Sequence, residues 1–374
     1  MSRWAWAEVD PSAIEHNVAT LRSVVAPSAL WAVVKADGYG HGAVTAARAA
    51  VAGGADGLCV ALVQEGVALR DAGLTVPILV LSPQPPEQMA AAVAAGLTLT
   101  VHSEAGVAAL EAVGAHQHPV HLKVDTGMHR VGAATVDAVQ VAARIVASPA
   151  TRLDGVFTHL AVADDPEDPF TDVQLGRFDD LLALLRMDGI EPPLVHTANS
   201  AAAIAHPRAR RGMVRAGIAI YGISPGPALD GEVARLGLRP AMSLHARVTH
   251  VKRVQAGEGI SYGLRHTFAR DTTVATVPIG YADGVPRRLH EVGGAVLIGG
   301  ARRRITGVVT MDQLMADCGD DSVQVGDSVV LLGEQGGQVI TAADWADALG
   351  TIAYEVVCGI SARVERRLTT PGAG

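Results

Sequence analysis

The sequence predicts an α/β protein: an N-terminal (β/α)8 TIM-like barrel followed by a C-terminal, mainly β-strand domain. Three observations carry that expectation. Between residues 29 and 220, short apolar runs alternate with Ala-rich amphipathic segments, in eight successive units. Continuous apolar strands separated by helices signify a parallel sheet covered on its faces, and eight units suggest closure into a barrel. Past about residue 225 the pattern changes to strands broken by Gly and Asp turns, and 374 residues exceed the usual domain of ~100–150.

The elements follow in order. WAWAEVD opens with a strand, so residues 1–10 are assigned to an N-terminal strand that packs with the C-terminal domain. The barrel is expected over 11–230. Its strands are ALWAVVK (29–35), GLCVA (57–61), PILVL (77–81), LTLTV (97–101), VHLKV (120–124), LDGVFTH (153–159), LVHT (194–197) and MVRAGIAI (213–220). Helices are expected near 42–52, 63–72, 86–95, 104–113, 135–147, 171–188 and 199–206. PGPALDGEVARLGLRP reads as a linker, and 231–374 as a domain of mainly antiparallel strands from SLHARVTHVKRV, TTVATVPIG, AVLIGG, RRRITGVVT and DSVVLLG. One helix stands out there, TAADWADALG (341–350), with Thr341 as N-cap and Gly350 as its stop.

Composition excludes several function classes. Apolar residues make up 49% and charged ones 18%, yet no uninterrupted apolar run approaches the ~20 residues that span a bilayer, so no membrane partner is expected. Glu8 and Asp10 break the stretch where a signal peptide needs apolar residues, and a cytoplasmic protein is expected. Cys59, Cys318 and Cys358 lie far apart without a CxxC, which fits a reducing compartment. His116, His118 and His121 fall where a turn enters a strand and alternate side chains diverge, so no metal is expected. A formal charge of −8 counts against nucleic acid, whose phosphates need a basic surface.

The chemistry is marked by scarcity. Of 30 basic residues only Lys35, Lys123 and Lys252 are lysines, so each is a candidate for work that arginine cannot do. Active sites of such barrels sit at the carboxyl ends of the strands. Lys35 ends the first run, followed by Gly38, Gly40 and Gly42, which allow a tight turn near a ligand. A partly desolvated amine there has a depressed pKa and suits nucleophilic or Schiff-base chemistry. Lys123, Asp125 and Arg130 lie at the fifth strand in LKVDTGMHRVG, where Lys123 and Asp125 can also form a structural pair, and His159 ends the sixth. Asn199 and Ser200 open a helix after the seventh, whose free N–H groups form an anion site. Arg215 and Gly217 lie on the eighth. An amine at strand one facing a phosphate pocket at strands seven and eight suits pyridoxal 5′-phosphate. On pattern alone, a Schiff-base aldolase remains open.

The stretches AVVKADGYGHG, KVDTGMHRVG, THLAVADDP, HTANSAA, VRAGIAIYG, SYG, PIGYADGVPR, GVVTMDQ and TIAYEVVC, in this order over nearly the whole chain, resemble the bacterial PLP-dependent alanine racemases. The resemblance implies a homodimer in which the second subunit's C-terminal domain closes each barrel site, with alanine as substrate and D-alanine for peptidoglycan as product. It implies that Lys35 binds the cofactor covalently and acts as acid/base toward D-alanine, while Tyr262 of the second subunit serves L-alanine through a His159–Arg215 chain. Arg215 matches the residue facing the pyridine nitrogen. Tyr39, Asn199, Ser200, Gly217, Ile218 and Tyr354 resemble the cofactor-binding set around the phosphate. Arg130, Met311 and Tyr281 match substrate-binding positions, and Asp164, Arg287 and Ile352 join Tyr281 along the substrate corridor. Lys123 aligns with a lysine often carried as a carbamate. Departures are His129 before the arginine, Thr310 before Met-Asp, and RVERR near the end. A racemase of broader specificity, acting for instance on serine, keeps every motif; a non-catalytic PLP-binding barrel protein would consist of the barrel alone.

Overall fold

The computed structural model describes residues 3–369, which divide into two compact units: Ser12–Arg239, and the described residues up to Pro11 together with those from Pro240 onward.

The first unit is the eight-stranded parallel barrel. Its strands, numbered here one to eight, are Ala29–Val33, Gly57–Val60, Ile78–Val80, Thr98–Val101, His118–Asp125, Thr151–Phe157, Leu194–His196 and Met213–Ala216. Each pairs in parallel with the next through strand seven, and strand eight pairs with strand one, Arg215 opposite Trp31. The remaining seam is drawn together by backbone bonds, Gly212 N–H to Val195 O at 3.1 Å and Arg215 N–H to Ala198 O at 3.0 Å. The strand residues that read as apolar runs are buried on both faces, among them Leu30, Ala32, Leu58, Val60, Ile78, Val80, Leu122, Val124, Val156 and Val214. Burial of that surface, at about 25 cal/mol per Å² of apolar area, is the main driving force for closure.

The helices lie where amphipathic spacing predicts, at Ala43–Ala52, Val63–Asp71, Met89–Ala94, Glu104–Ala112, Thr135–Ala147, Phe170–Met187 and Ser200–Ala205. Four local expectations are corrected. Strand eight stops at Ala216, and Ile218–Tyr221 is a 3-10 turn, because Gly217 turns the chain at φ −106°, ψ −103°. Lys35 lies beyond strand one, which ends at Val33. The linker contains a helix, Asp230–Arg235. The barrel unit extends to Arg239 rather than 230, since buried Asn17 of the helix Pro11–Val25 holds Arg239 through both backbone groups, at 2.8 Å each, and Ile220 O at 3.0 Å.

The second unit is strand-rich. One sheet runs in the order Ala301–Arg304, Ala295–Ile298, Ser328–Gln335, Met242–Arg247, Ala5–Val9, Glu365–Leu368, with only the last pair parallel. A three-stranded antiparallel sheet joins His250–Val254, Thr272–Val277 and Leu314–Gly319. Thr341 caps the helix Ala342–Leu349 by accepting the Asp344 N–H at 3.0 Å, and Gly350 ends it at φ 71°. A second helix, Ala353–Gly359, follows, so the unit has more helix than the sequence suggests.

Candidate active site

Lys35 begins the segment Lys35–Tyr39, half-buried at the carboxyl end of strand one. The turn that follows is left-handed: φ is 52° at Ala36, 52° at Asp37, 61° at Gly38 and 52° at Tyr39. Glycine accepts this freely, whereas each L-residue costs roughly 1–2 kcal/mol there. Hydrogen bonds offset the cost. Gly38 N–H donates to Val34 O, Gly40 N–H to Ala36 O and Gly42 N–H to Asp37 O, while the Asp37 carboxylate accepts the Ala43 N–H at 2.8 Å. The turn delivers Tyr39 to the barrel mouth, its ring 5.1 Å from that of buried Tyr221.

Strands seven and eight meet Tyr39 from the other side. Asn199 caps the helix Ser200–Ala205 by accepting the Ala202 N–H at 2.9 Å. The buried Ser200 hydroxyl accepts the N–H groups of Gly217 at 2.7 Å and Ala219 at 3.4 Å. A methyl group on Gly217 would lie 2.6 Å from the Tyr39 hydroxyl, so the approach of Tyr39 to this backbone requires glycine. Ser200, Gly217, Ile218 and Tyr39 therefore form a compact cradle of hydroxyl and backbone groups, which fits a phosphate. Tyr39, Ser200 and Gly217, like Arg215 below, meet in this one unit.

Arg215 is the electrostatic centre. It is 3% exposed, and its guanidinium donates to His196 Nδ1 at 2.7 Å, Thr158 O at 3.0 Å, Thr197 O at 3.0 Å and His159 Nδ1 at 3.3 Å. A guanidinium only donates, so both rings must present a lone pair at Nδ1. His196 then carries its proton on Nε2 and donates to His121 Nδ1 at 2.9 Å. Burial, then the neighbouring Arg215 charge, drives His159 and His196 well below the ordinary range; burial brings His121 down to about 4. All three stay neutral around the cation. Burial also lowers Arg215, to about 10, which leaves it charged at neutral pH. Sequence reasoning missed His196 altogether and read His121 only as a rejected metal ligand.

Lys123 is buried on strand five, its Nζ 5.5 Å from the Phe157 ring centre, with Arg215 5.2 Å from the same centre. Burial first, then Arg215, Arg130 and Lys35, push the Lys123 amine down to about 8. The structural Lys123–Asp125 pair does not form. Asp125 instead accepts the N–H groups of Gly127 at 2.9 Å and His129 at 3.1 Å, shaping the loop that presents Arg130. A narrow cleft brings together Lys123, Asp125, Met128, Arg130, Thr158 and His159. His129 occupies φ 54°, in the left-handed region that few non-glycine residues adopt. Cys59, also near Arg215 and Lys35, is pushed up to about 12 by burial and stays a thiol. Asp164 lies exposed in the loop after strand six.

The remaining candidates belong to the strand-rich unit. Tyr262 opens a short 3-10 turn and is 73% exposed. It stands between Ser261 at φ 64° and Gly263 at φ 73°, with Leu264 at φ 47°, and the Ser261 hydroxyl donates to Val308 O at 2.8 Å. Tyr281, Met311, Arg287 and Ile352 are exposed, and Tyr354 is half-buried on the helix Ala353–Gly359. Two backbone bonds, Tyr281 N–H to Thr310 O at 2.9 Å and Ala282 N–H to Met311 O at 3.0 Å, hold the Tyr281 and Met311 loops together. Fully buried Asp283 anchors the first loop, pairing with Arg3 at 2.5 Å and Arg363 at 3.4 Å and accepting the Gly280 N–H at 2.9 Å. Among the described residues no cluster of His, Cys, Asp or Glu could hold a metal ion, and no helix is long and apolar enough to cross a membrane.

A (β/α)8 barrel that holds a lysine at its mouth, a hydroxyl-and-backbone cradle and a buried arginine in one unit has the build of a barrel enzyme. The family is specific. Residues 9–225 match the alanine racemase N-terminal domain and residues 241–368 the alanine racemase C-terminal domain, and the chain belongs to the alanine racemase family. It is 46% identical over 368 residues to the alanine racemase of Symbiobacterium thermophilum, covering 97% of each chain, and 46% identical over 369 residues to that of Frankia casuarinae, covering 96% of this chain and 95% of that one. Among solved structures, alanine racemase from D-cycloserine-producing Streptomyces lavendulae superposes with a TM-score of 0.92 at 40% identity, over 99% of this chain and 98% of that one. The Bacillus anthracis enzyme with bound L-Ala-P gives 0.93 at 38% identity, over 100% and 96%.

Proposed function

We propose that this protein is a pyridoxal 5′-phosphate-dependent alanine racemase that interconverts L- and D-alanine by two bases on opposite faces of Cα, working as a cytoplasmic homodimer that supplies D-alanine for peptidoglycan. The convergence of Lys35, the Ser200–Gly217–Tyr39 cradle and buried Arg215 at one barrel mouth carries this reading, within a family whose members match over nearly the full chain.

Lys35 would hold the cofactor covalently, Ser200, Gly217, Ile218, Tyr39 and Tyr354 its phosphate, and Arg215 its ring nitrogen. Bound there, the cofactor supplies an electron sink for the pair left at Cα when its proton departs. Arg215 remains protonated, so it donates a hydrogen bond without giving up a proton and limits the strength of that sink. The Lys35 Nζ takes or returns the proton on the D face. The Tyr262 Oη of the second copy serves the L face, and its exposure in this unit leaves it available for that role. Racemisation requires such a pair, because one base returns the proton to the face it left. His159 Nε2–H, set by the Arg215 contact at Nδ1, would stabilise the deprotonated form of that tyrosine by donating to its oxygen. Arg130 and the Met311 main chain of the second copy would hold the substrate carboxylate, while Tyr281, Asp164, Arg287 and Ile352 line the approach.

Lys123 we read as carbamylated. Its amine, down to about 8, is partly neutral near pH 7 and can attack carbon dioxide; a proton leaves and the cation becomes an anion facing Arg130. Native mass spectrometry should find one added carbon dioxide that acid releases, and an unmodified mass at neutral pH removes the assignment.

The deciding experiment joins a visible spectrum of the purified protein with circular dichroism of L-alanine over time, for wild type and Lys35→Ala. A cofactor band and decay of the alanine signal to zero, both lost in the variant, are expected. A band without turnover of alanine or serine would leave a cofactor-binding protein, and no band would refute the reading.

A further inference from the structure

We propose that Glu65 is a positioning residue for Lys35 and Tyr39, a proposal that rests on reading Lys35 as the cofactor lysine. Glu65 is the third residue of the helix Val63–Asp71, which follows strand two. One carboxylate oxygen does ordinary work for that helix, accepting the N–H groups of Ala61 at 2.8 Å and Leu62 at 3.0 Å. The other leaves the helix and accepts the N–H of Ala36 at 2.6 Å. Ala36 directly follows Lys35 and is where the backbone enters its left-handed turn.

The two ends of that turn are held differently. The far end has the Asp37 carboxylate on the Ala43 N–H, the Gly42 N–H on Asp37 O and the Tyr39–Tyr221 ring contact. At the near end, Gly38 N–H donates to Val34 O and Val34 N–H to Cys59 O of strand two, while Glu65 supplies the acceptor for the first left-handed residue, Ala36. An alanine drifts back toward right-handed dihedrals unless its neighbours forbid it. Drift at Ala36 rotates the peptide joining it to Lys35 and swings Tyr39 away from Gly217. A carboxylate fits this task because it only accepts, so both oxygens can serve N–H donors at once. A glutamine would turn its own N–H groups on either the helix cap or Ala36.

A capping role alone predicts lower stability and nothing more, whereas the positioning role predicts a change at the cofactor. Glu65→Asp keeps the charge on Ala61 and Leu62 and draws it back from Ala36; Glu65→Gln breaks one side. The control is Asp344→Ala, which removes the equivalent reciprocal cap from the helix Ala342–Leu349. Both Glu65 variants should speed amide hydrogen exchange over residues 36–42 in the apoprotein. In the holoprotein they should raise the pyridoxal phosphate dissociation constant about tenfold and lower kcat by a similar factor, with KM for alanine nearly unchanged. Asp344→Ala should lower Tm and leave exchange at 36–42 and cofactor affinity at wild-type values. Wild-type exchange and cofactor affinity in both Glu65 variants would overturn the proposal, whatever happens to Tm. Retention of the visible band by Lys35→Ala would instead refute the underlying reading of Lys35, and the exchange measurement on the apoprotein separates the two failures.

Discussion

The two units bury charge in opposite ways. In the strand-rich unit the fully buried Asp283 has its counterions beside it, Arg3 at 2.5 Å and Arg363 at 3.4 Å. In the barrel, Arg215 is nearly as deep, yet its side-chain partners are two carbonyls and two neutral imidazoles. Buried Lys123 shares the same aromatic ring with it. A buried ion beside its counterion is structure. A buried cation such as Arg215, surrounded by neutral groups, favours an anion close by.

The sharpest test of that contrast removes the functional groups from each side. Lys35→Ala should cost at least about 10⁴-fold in racemisation, because on the proposed mechanism it deletes a base and the covalent tether together. Tyr262→Phe in the other unit should cost about 10²–10⁴-fold while leaving cofactor affinity intact, and unchanged turnover would break the division of labour between the units. Stability measurements compare the ions themselves. Asp283→Ala takes the carboxylate from Arg3, while Arg363 keeps Asp312 at 2.6 Å, and should destabilise by about 2–3 kcal/mol in urea titration, below the usual cost for a buried pair because Arg3 and Arg363 are partly exposed.

A pH titration of the apoprotein reads the barrel side. His121, near 4 rather than 6.5, binds its proton later in the folded chain than in the unfolded one, with His159 and His196 shifted the same way. Stability is therefore full above pH 6.5 and falls as pH drops toward 4. Lys123, wherever it carries no carbamate, acts in the same direction in a higher window: near 8 instead of 10.5, it adds stability as pH rises from about 8 to 10.5. A flat profile in both windows would contradict the buried neutral histidines and the depressed amine. The smallest effect is expected at Thr310, whose hydroxyl both donates to Gln313 O and accepts the Gln313 N–H. Thr310→Cys should weaken that turn by less than about 1 kcal/mol, seen as a shift of a few degrees or less in Tm.

Much of this was legible in the residues. Barrel strands buried on both faces leave unmistakable apolar runs, and scarce lysine drew attention to Lys35 and Lys123. What was not legible depended on conformation or on distant partners. Gly38, Gly40 and Gly42 announced a turn, but nothing in Ala36 or Asp37 tells that they join it in left-handed form. Glu65 reads as an ordinary first-turn glutamate until its second oxygen is seen on Ala36. The strand Glu365–Leu368 carries charge in three of four positions and is held by pairing to Ala5–Val9, with Arg367 over the Trp6 ring. Leu314–Gly319 alternates buried and half-buried residues, a signal present in LMADCG yet weakened by its Asp and Cys.

The seam between strands seven and eight has a consequence for the order of assembly. Arg215 takes part in it twice, by its backbone N–H on Ala198 and its guanidinium on Thr197 and Thr158. Its strand must also return to pair with strand one, whose residue Trp31 lies far earlier in the chain. Closing so long a loop comes late in folding, since its entropy must be met before its contacts reward it. Lys35 is thus made early, during synthesis, but remains without its anion cradle until the last barrel strand docks. A chain ending before strand eight would carry Lys35 without Arg215 or Gly217.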